Sequence, residues 1–301
     1  MNYVGTTKDS GSVTLTVSTT KPTRTDYTFV SWNTKSDGTG TSYASGATLN
    51  ISANVTLYAM WKTDKISKST SYVGYYADID ADGTVDGVIY ADLAVGNQGS
   101  GQWIDSDGKY TIPTVTEGLK DYYISQRNYK ANEGFGTKDV ISPRGTGKDR
   151  FYIMALTDID GYGNLTSYDW YYAASGKMSD YATTTSEDFG KGKSNTTTMI
   201  SKWNAKAYGD QDKCSSHKDM WGQIQEKVNN GWFVPSRAEW SAFGGELGIM
   251  SSNYGNFDLR INYWSSSQYN TYRAWYAYFI TDRMLNYFVD TNIPVRLSAT
   301  F

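Results

Sequence analysis

The chain has 301 residues, a formal net charge of −3 and an aromatic content of 15%. Its length suits one large domain or two modest ones, and its 29 glycines and 26 tyrosines are typical of a loop-rich β or α+β protein. The balanced charge, with no run of lysine or arginine, excludes an electrostatic attraction to nucleic acid or anionic membrane. No apolar stretch approaches the roughly 18 residues of a spanning helix, and no signal peptide is visible at the N-terminus.

The chain has one cysteine, Cys214, and one histidine, His217. A single cysteine excludes an internal disulfide. The two residues could touch on a helix turn, but a catalytic dyad also needs a pocket and an orienting partner, so a helix-end cysteine beside a solvated histidine is the favoured interpretation. No histidine cluster is available for zinc or non-haem iron. The composition therefore predicts a protein that is not an enzyme.

Three stretches near the N-terminus alternate as strands do: 13–17, 27–32 and 53–61. Residues 36–41, Ser-Asp-Gly-Thr-Gly-Thr, have turn composition. This segment resembles the internalin B-type repeat, and the residues that carry the resemblance are Phe29, Trp32, Asn33, Asp37 to Gly40, Gly46, Leu57, Tyr58 and Trp61. The resemblance implies a small β-grasp-like module of bacterial surface proteins and some phage proteins over residues 1–62. The polar residues 63–71 follow as a linker.

An Asp-rich turn joins two predicted strands, 72–76 and 88–94, at the start of the second domain. Its Asp-x-Asp-x-Asp-Gly spacing can converge carboxylates on a hard cation, which gives four candidate calcium ligands: Asp78, Asp80, Asp82 and Asp86. An EF-hand would need an acid at its twelfth position, where Ile89 stands. A plain hairpin turn explains the same residues, and a shorter Asp-x-Asp-Gly form recurs at 105–108 and 158–161. Calcium is thus one of two alternatives, and no cofactor is certain.

The middle of the second domain is predicted to hold a surface loop at 143–148, a buried strand at 151–156, and helices at 197–207 and 218–229. The Gly-rich surface loop lacks the spacing of a phosphate-binding loop. A capping box of Ser236 and Glu239 precedes a further helix, whose apolar side carries Trp240, Phe243 and Leu247.

Residues 263–301 alternate apolar scaffold positions with positions rich in Tyr, Asn, Arg and Asp. Within 275–279 the period is two, so one strand face would bury Trp275, Ala277 and Phe279 while Tyr276 and Tyr278 are exposed. Dense exposed tyrosines are typical of a recognition surface, because tyrosine gives a large contact area and a hydroxyl at low entropy cost. The alternative is that these tyrosines pack under a neighbouring loop.

Four pieces of the second domain resemble the C-type lectin fold: Gly231 to Trp240, Tyr263 to Gln268, Ala274 to Phe279 and Val295 to Leu297. They are most similar to variable proteins diversified by retroelements, close to formylglycine-generating-enzyme-like domains. The resemblance implies an α+β chain, with the β-grasp-like repeat followed by a C-type lectin-like domain at residues 72–301. It also implies a hypervariable region at about 255–293.

In such systems, copying errors at template adenines convert Asn codons into Tyr, Ser, Asp, Thr, Arg and others. The C-terminal stretch contains the same set of residue types, and they alternate with the scaffold positions. These two features give the following candidate ligand-binding positions: Asn262, Tyr269, Asn270, Tyr272, Arg273, Tyr276, Tyr278, Thr281, Asp282, Arg283, Leu285, Asn286, Tyr287, Asp290, Thr291 and Asn292.

The function that the resemblance implies is recognition without catalysis. A phage or bacterial surface would attach to a protein or glycan on a target, with no nucleic-acid partner and no membrane insertion. Formylglycine-generating relatives use paired cysteines with copper, and Cys214 is alone. The alternative is a carbohydrate-binding adhesin that depends on calcium or aromatic stacking and is not diversified, although the usual Glu-Pro-Asn, Gln-Pro-Asp and Trp-Asn-Asp tripeptides are absent. A purely structural repeat protein would explain residues 1–62 only.

Overall fold

A computed structural model describes residues 13–24, 27–63, 72–82, 84–98, 103, 110–123, 140–161, 166–210 and 218–301. Within these residues the fold is α+β, as predicted, with mostly antiparallel strands and short helices. Cys214, His217, the turn at 105–108 and most of the proposed linker lie outside the described residues.

The strands are β1 (Val13–Thr16), β2 (Tyr27–Asn33), β3 (Ser42–Tyr43), β4 (Thr48–Ile51), β5 (Tyr58–Thr63), β6 (Tyr76–Ala77), β7 (Gly87–Asp92), β8 (Asn97–Gln98), β9 (Thr111–Ile112), β10 (Asp121–Tyr123), β11 (Ser142–Arg144), β12 (Phe151–Ala155), β13 (Asn262–Gln268), β14 (Arg273–Tyr278), β15 (Arg283–Phe288) and β16 (Ser298–Thr300). The helices are α1 (Tyr181–Thr184), α2 (Gly192–Asn204), α3 (Met220–Gln223), α4 (Gln225–Asn229) and α5 (Arg237–Glu246), with 3-10 turns at Tyr172–Ala174 and Tyr254–Phe257.

The chain divides into two compact units. The first comprises Met1–Ser67 with Asp121–Ile124, and the second comprises Lys68–Lys120 with Ser125–Phe301.

The first unit has a small core between the β1–β4 pair and the β3-β2-β5 sheet. Its buried side chains are Val17, Trp32, Leu49 and Ile51. The predicted turn is stabilised by the buried Asn33, whose side-chain amide donates to the carbonyls of Gly38 and Gly40. Gly38 has a φ of 79°, in the left-handed region that favours glycine. β5 begins later than predicted because its partner β2 ends at Asn33, which pairs with Tyr58.

The second unit contains a four-stranded antiparallel sheet in the order β16-β12-β7-β6. β7 is buried along its whole length. At its end the buried Asp92 accepts two hydrogen bonds from Arg150, each 2.7 Å long. Both charged groups are buried, and the ion pair between them compensates for the hydration that each one loses.

A second sheet of the same unit, β13-β14-β15, is the scaffold of the candidate site. One of its faces packs on α5 through Trp240, Ala242 and Phe243. Its other face contributes Trp264 and Tyr276 to a separate core with Trp170, Trp221 and Met199. A sheet covered in this way on both sides cannot have one fully exposed face.

The helices differ from the predicted ones at their ends. α2 begins at Gly192, before the predicted start, because tertiary hydrogen bonds hold its weakly helical first residues. The Gly192 N–H donates to the carboxylate of Glu239, and the Asn195 side chain donates to the Ser186 carbonyl. The predicted helix 218–229 is divided at Ile224 into α3 and α4. The capping box of Ser236 and Glu239 is confirmed, with both of its hydrogen bonds present.

Candidate ligand-binding surface

The orientation of the C-terminal hairpin follows from its backbone hydrogen bonds. Val289 N–H donates to the Tyr272 carbonyl, and Phe279 N–H donates to the Ile261 carbonyl. Bonded pairs recur at every second residue of an antiparallel ladder. Successive side chains of a strand point to opposite faces of the sheet. Ala274, Tyr276 and Tyr278 thus lie on one face of β14, and Arg273, Trp275 and Ala277 lie on the other.

The first face carries a tyrosine surface, defined here by Tyr276, Tyr278, Leu285 and Tyr287. The Tyr276 ring lies edge-on to those of Tyr278 and Tyr287, at 5.9 and 6.2 Å. Tyr287 is 47% exposed, whereas Tyr276 is only 8% exposed. Burial raises the pKa of Tyr276, and the neighbouring Tyr278 and Tyr287 add to that rise. Tyr276 thus forms the floor of the surface, and Tyr287 its accessible part.

The prediction that Tyr276 is exposed is wrong. The period-two pattern identifies the face correctly, but Trp264 packs edge-on against the Tyr276 ring at 6.2 Å and the second core covers it. Tyr278 is half-buried rather than exposed. The alternative, in which these tyrosines pack beneath neighbouring segments, holds for Tyr276.

The opposite face carries an arginine surface, defined here by Tyr269, Arg273, Asn286 and Phe288. The Arg273 guanidinium lies 4.6 Å from the ring centre of Phe288 and donates to Asn286 Oδ1 at 3.1 Å. Phe288 is 41% exposed. The predicted positions therefore lie on two faces of one sheet rather than on one continuous face.

The remaining predicted positions lie at the edges and turns of this sheet. Tyr272 is 52% exposed, and its ring rests against Gly176, where a β-carbon would lie 2.9 Å from the ring. The φ of Gly176 is 75°, in the left-handed region that favours glycine. Asn270 has a structural role, since its side chain accepts from the N–H groups of Tyr272 and Arg273. Exposed side chains are found at Thr281, Arg283, Asp290 and Asn292, and half-buried ones at Asn262, Asp282, Leu285 and Thr291.

Three residues escaped the sequence-based assignment. The Phe288 ring lies against the Arg273 guanidinium. The one feature that could have indicated this contact is the position of Phe288 directly opposite Arg273 in the β14–β15 pairing. Glu187 and Arg237 come from distant segments: the Glu187 carboxylate accepts from Trp275 Nε1 and from Arg237, both at 2.7 Å. The Arg237 guanidinium also lies 4.1 Å from the Trp275 ring centre. No local pattern could have predicted this contact, because tertiary folding brings the residues together.

The Asp-rich turn brings together three of its four candidate calcium ligands. Oxygens of Asp78, Asp80 and Asp86 lie within 4.8 Å of one another. Burial raises the pKa of Asp86 to about 6; the Ile79 N–H lowers it, and the carboxylates of Asp80, Asp78 and Asp82 raise it further. Asp82 is exposed, lies outside the group, and accepts from Thr84 N–H. The turn thus combines local turn chemistry with a cluster of oxygens of the kind that calcium binds.

The other predicted Asp-x-Asp-Gly turn that the structure describes has a structural role. Asp158 is buried and forms ion pairs with Arg260 and Arg296, at 3.0 and 2.9 Å. Asp160 accepts a hydrogen bond from the Tyr168 hydroxyl. The 143–148 segment lies largely on the surface, as predicted.

Comparison with known proteins identifies one module. Residues 3–60 match the Listeria-Bacteroides repeat domain. The matched residues fall within the segment that resembles a bacterial repeat in the sequence, and they contain β1 to β4 and the first half of β5. No curated protein matches the chain.

Among solved structures, a fimbrial protein from Bacteroides ovatus matches with 13% identity and a TM-score of 0.33. The alignment covers 50% of this chain and 36% of the fimbrial protein, so the chain spans well under half of that protein's length. Within the described residues, no helix combines the length and apolar character needed to cross a bilayer.

Proposed function

We propose that this chain is a ligand-recognition protein of a bacterial or phage surface, in which a C-type lectin-like domain presents retroelement-diversified side chains to a target. The repeat domain match supports a surface or adhesin-like role for the chain. The proposed recognition involves no catalysis, no nucleic acid and no membrane insertion.

The observation that carries the proposal is the concentration of exposed apolar side chains on the C-terminal sheet and its turns. Eleven large apolar residues are exposed in the described part of the chain, and six of them lie between residues 261 and 288: Ile261, Tyr269, Tyr272, Ile280, Tyr287 and Phe288. Four of the six are aromatic, and exposed aromatic side chains are enriched at interaction sites. The sheet beneath is rigidly held, since Trp264 and Trp240 are fully buried and donate to backbone carbonyls.

Diversification is supported by how these positions are held. Tyr287, Thr281 and Asp290 project from a hairpin whose fixed contacts are made by other residues, including Met284 and Val289 in the cores. Side chains of this kind can be exchanged with little effect on the fold, because exposed substitutions usually change stability by less than about 0.5 kcal/mol. Tyr276 fits this role less well because it is part of a core.

The first test is the sequence of this gene in several isolates. We expect substitutions to be concentrated within about 255–293, at exposed positions such as Tyr272 and Tyr287, while Trp264 and Trp240 stay fixed. A reverse transcriptase and a near-copy of the last coding segment should lie beside the gene. Substitutions spread evenly along the chain would exclude diversification.

The second test is binding. Tyr287→Ala should weaken binding to a target cell or captured ligand by about tenfold or more, because exposed tyrosines at the centre of an interface contribute most of its energy. Tyr27→Ala, an exposed tyrosine in the other unit, is the matched control. Equal effects of the two variants would contradict a site on the C-terminal sheet.

Glycan binding is the second candidate, and the exposed rings of Tyr272 and Tyr287 favour it, because sugar rings stack on aromatic faces. A glycan array with and without a chelator separates the possibilities. Glycan binding that the chelator abolishes would place the binding site at the Asp-rich turn. Glycan binding that resists the chelator would place the site at the tyrosine rings. If no glycan binds, the ligand is a protein.

A further inference from the structure

β15 is an edge strand, and its outward backbone groups can be identified. The Val289 N–H donates to the Tyr272 carbonyl, and bonded positions recur at every second residue. The backbone groups of β15 that bond to β14 are therefore those of residues 283, 285 and 287. The backbone groups of Met284, Asn286 and Phe288 therefore point away from β14. In the described structure no backbone hydrogen bond reaches the N–H or C=O of Asn286 or the N–H of Phe288, whereas the Phe288 carbonyl accepts from Thr291.

Only the second half of this edge is accessible. Met284 is 2% exposed, so the first half is covered. Asn286 is half-buried, and Tyr287 and Phe288 are exposed. Natural edge strands are commonly protected by charge, proline or a covering segment. The Asn286–Phe288 stretch carries none of these among the described residues, and it can accept a further strand.

The Arg273 guanidinium lies above this open edge. It extends from β14 across to the Phe288 ring and the Asn286 side chain, both on β15. Two other arginines of the unit form buried ion pairs, Arg150 with Asp92 and Arg296 with Asp158. No carboxylate of the described residues lies within ion-pair distance of Arg273, and its one hydrogen bond to a side chain leaves further N–H donors available.

We propose that the Asn286–Phe288 edge of β15 binds an extended segment of a protein partner that adds as a β-strand and directs an Asp or Glu carboxylate to Arg273. Backbone bonds to the edge would provide affinity, and the stacked guanidinium would provide selectivity for an acid. Charge complementarity favours an acidic segment because the cation is already held over the Phe288 ring. This inference rests on the proposed recognition function and specifies the chemistry of its partner.

The test uses the full chain and a labelled peptide, Thr-Val-Thr-Glu-Thr-Val-Thr, with its Gln analogue for comparison. We expect the Glu peptide to bind more tightly than the Gln peptide. Arg273→Gln should weaken Glu-peptide binding about tenfold and remove the preference for Glu, because a charge-assisted hydrogen bond is lost. Arg24→Gln is the matched control, since Arg24 also stacks on a ring, Tyr27, in the other unit.

A second pair of variants isolates the backbone contribution. Asn286→Pro removes an outward N–H without breaking the β14–β15 ladder, whereas Asn286→Ala removes only the side chain. We expect the proline variant to lose binding of both peptides and the alanine variant to lose less. An unchanged thermal unfolding midpoint in each variant ensures that the loss reflects the edge and not misfolding.

Four outcomes would overturn the proposal. Neither peptide binds in the millimolar range; the Glu and Gln peptides bind equally; oligogalacturonate binds in an Arg273-dependent way that Asn286→Pro does not affect; or the edge mediates self-association that Asn286→Pro abolishes. The third outcome would identify the ligand of Arg273 as an acidic sugar, and the fourth would identify the partner of the edge as a second copy of the chain. Tyr287→Ala and the isolate sequences test the recognition function separately, so that function can stand if the strand proposal fails.

Discussion

Glu239 shows how a single buried residue supports the candidate surface from behind. Its side chain is fully buried and accepts hydrogen bonds from the backbone N–H groups of Gly190, Gly192 and Ser236, at 3.0, 3.2 and 2.7 Å. Those groups belong to the starts of α2 and α5, and both helices pack on the β13-β14-β15 sheet. One carboxyl group therefore ties together the two helices that lie against the sheet.

The same burial makes Glu239 sensitive to pH. Burial raises its pKa from 4.5 to about 7, although the three N–H groups lower it in part. Between these two pH values the folded chain keeps a proton that the unfolded chain releases. The free energy of unfolding should therefore fall as pH rises from about 4.5 to about 7.

Two variants test this prediction. Glu239→Gln should remove the contribution of Glu239 to that fall, because an amide does not titrate in this range. Glu239→Ala should lower the free energy of unfolding by about 2 kcal/mol or more, because the buried N–H groups of Gly192 and Ser236 lose their acceptor at about 1–3 kcal/mol each. Urea unfolding at pH 5 and pH 8 measures both, with the exposed Glu117→Gln as the control. A Glu239→Gln variant with the full pH dependence of the wild type would contradict the assignment.

At the scale of elements, the sequence allowed reliable prediction where local chemistry decides the structure. The capping box at Ser236 and the strand at 151–156 needed only short-range patterns, and both are present. The exposure of Tyr276 could not be predicted, because alternation identifies two faces but not whether a second core covers one of them. The pairing of Glu187 with Trp275 and Arg237 depends on residues far apart in the chain, and local patterns carry no information about it.

The Asp-rich turn between β6 and β7 has two interpretations with different outcomes. If it binds calcium, Ca²⁺ should raise the thermal unfolding midpoint at pH 7. Asp86→Asn should abolish that rise, while Asp82→Asn, outside the three-carboxylate group, should preserve it. The rise should also weaken below pH about 6, because Asp86 then holds a proton that competes with the metal.

If the segment is only a hairpin turn, Ca²⁺ should leave all three unfolding midpoints unchanged. Without calcium, the Asp86 carboxyl should still lower stability as pH rises from 3.8 to about 6, because its pKa is raised in the folded chain. Asp86→Asn should remove that dependence under either interpretation, which checks that the turn is folded as described.

At the scale of the whole molecule, the chain has two units with separate cores. The core of the first is small and depends on Trp32, which contacts Phe29 at 5.2 Å between ring centres. The second has two large aromatic cores, one on each face of the β13-β14-β15 sheet. Because the candidate surface rests on the two cores of the second unit, its integrity should not depend on the core of the first unit.

Trp32→Ala tests this independence. It should destabilise the first unit by about 3–5 kcal/mol, the usual cost of removing a buried tryptophan side chain, and so lower one transition in calorimetry. The second transition, and binding at the tyrosine surface, should stay unchanged. Val30→Ala is the control, since Val30 is exposed on the same strand and should shift neither transition. If Trp32→Ala lowers both transitions equally, the units unfold as one, and the repeat then contributes directly to the stability of the candidate surface.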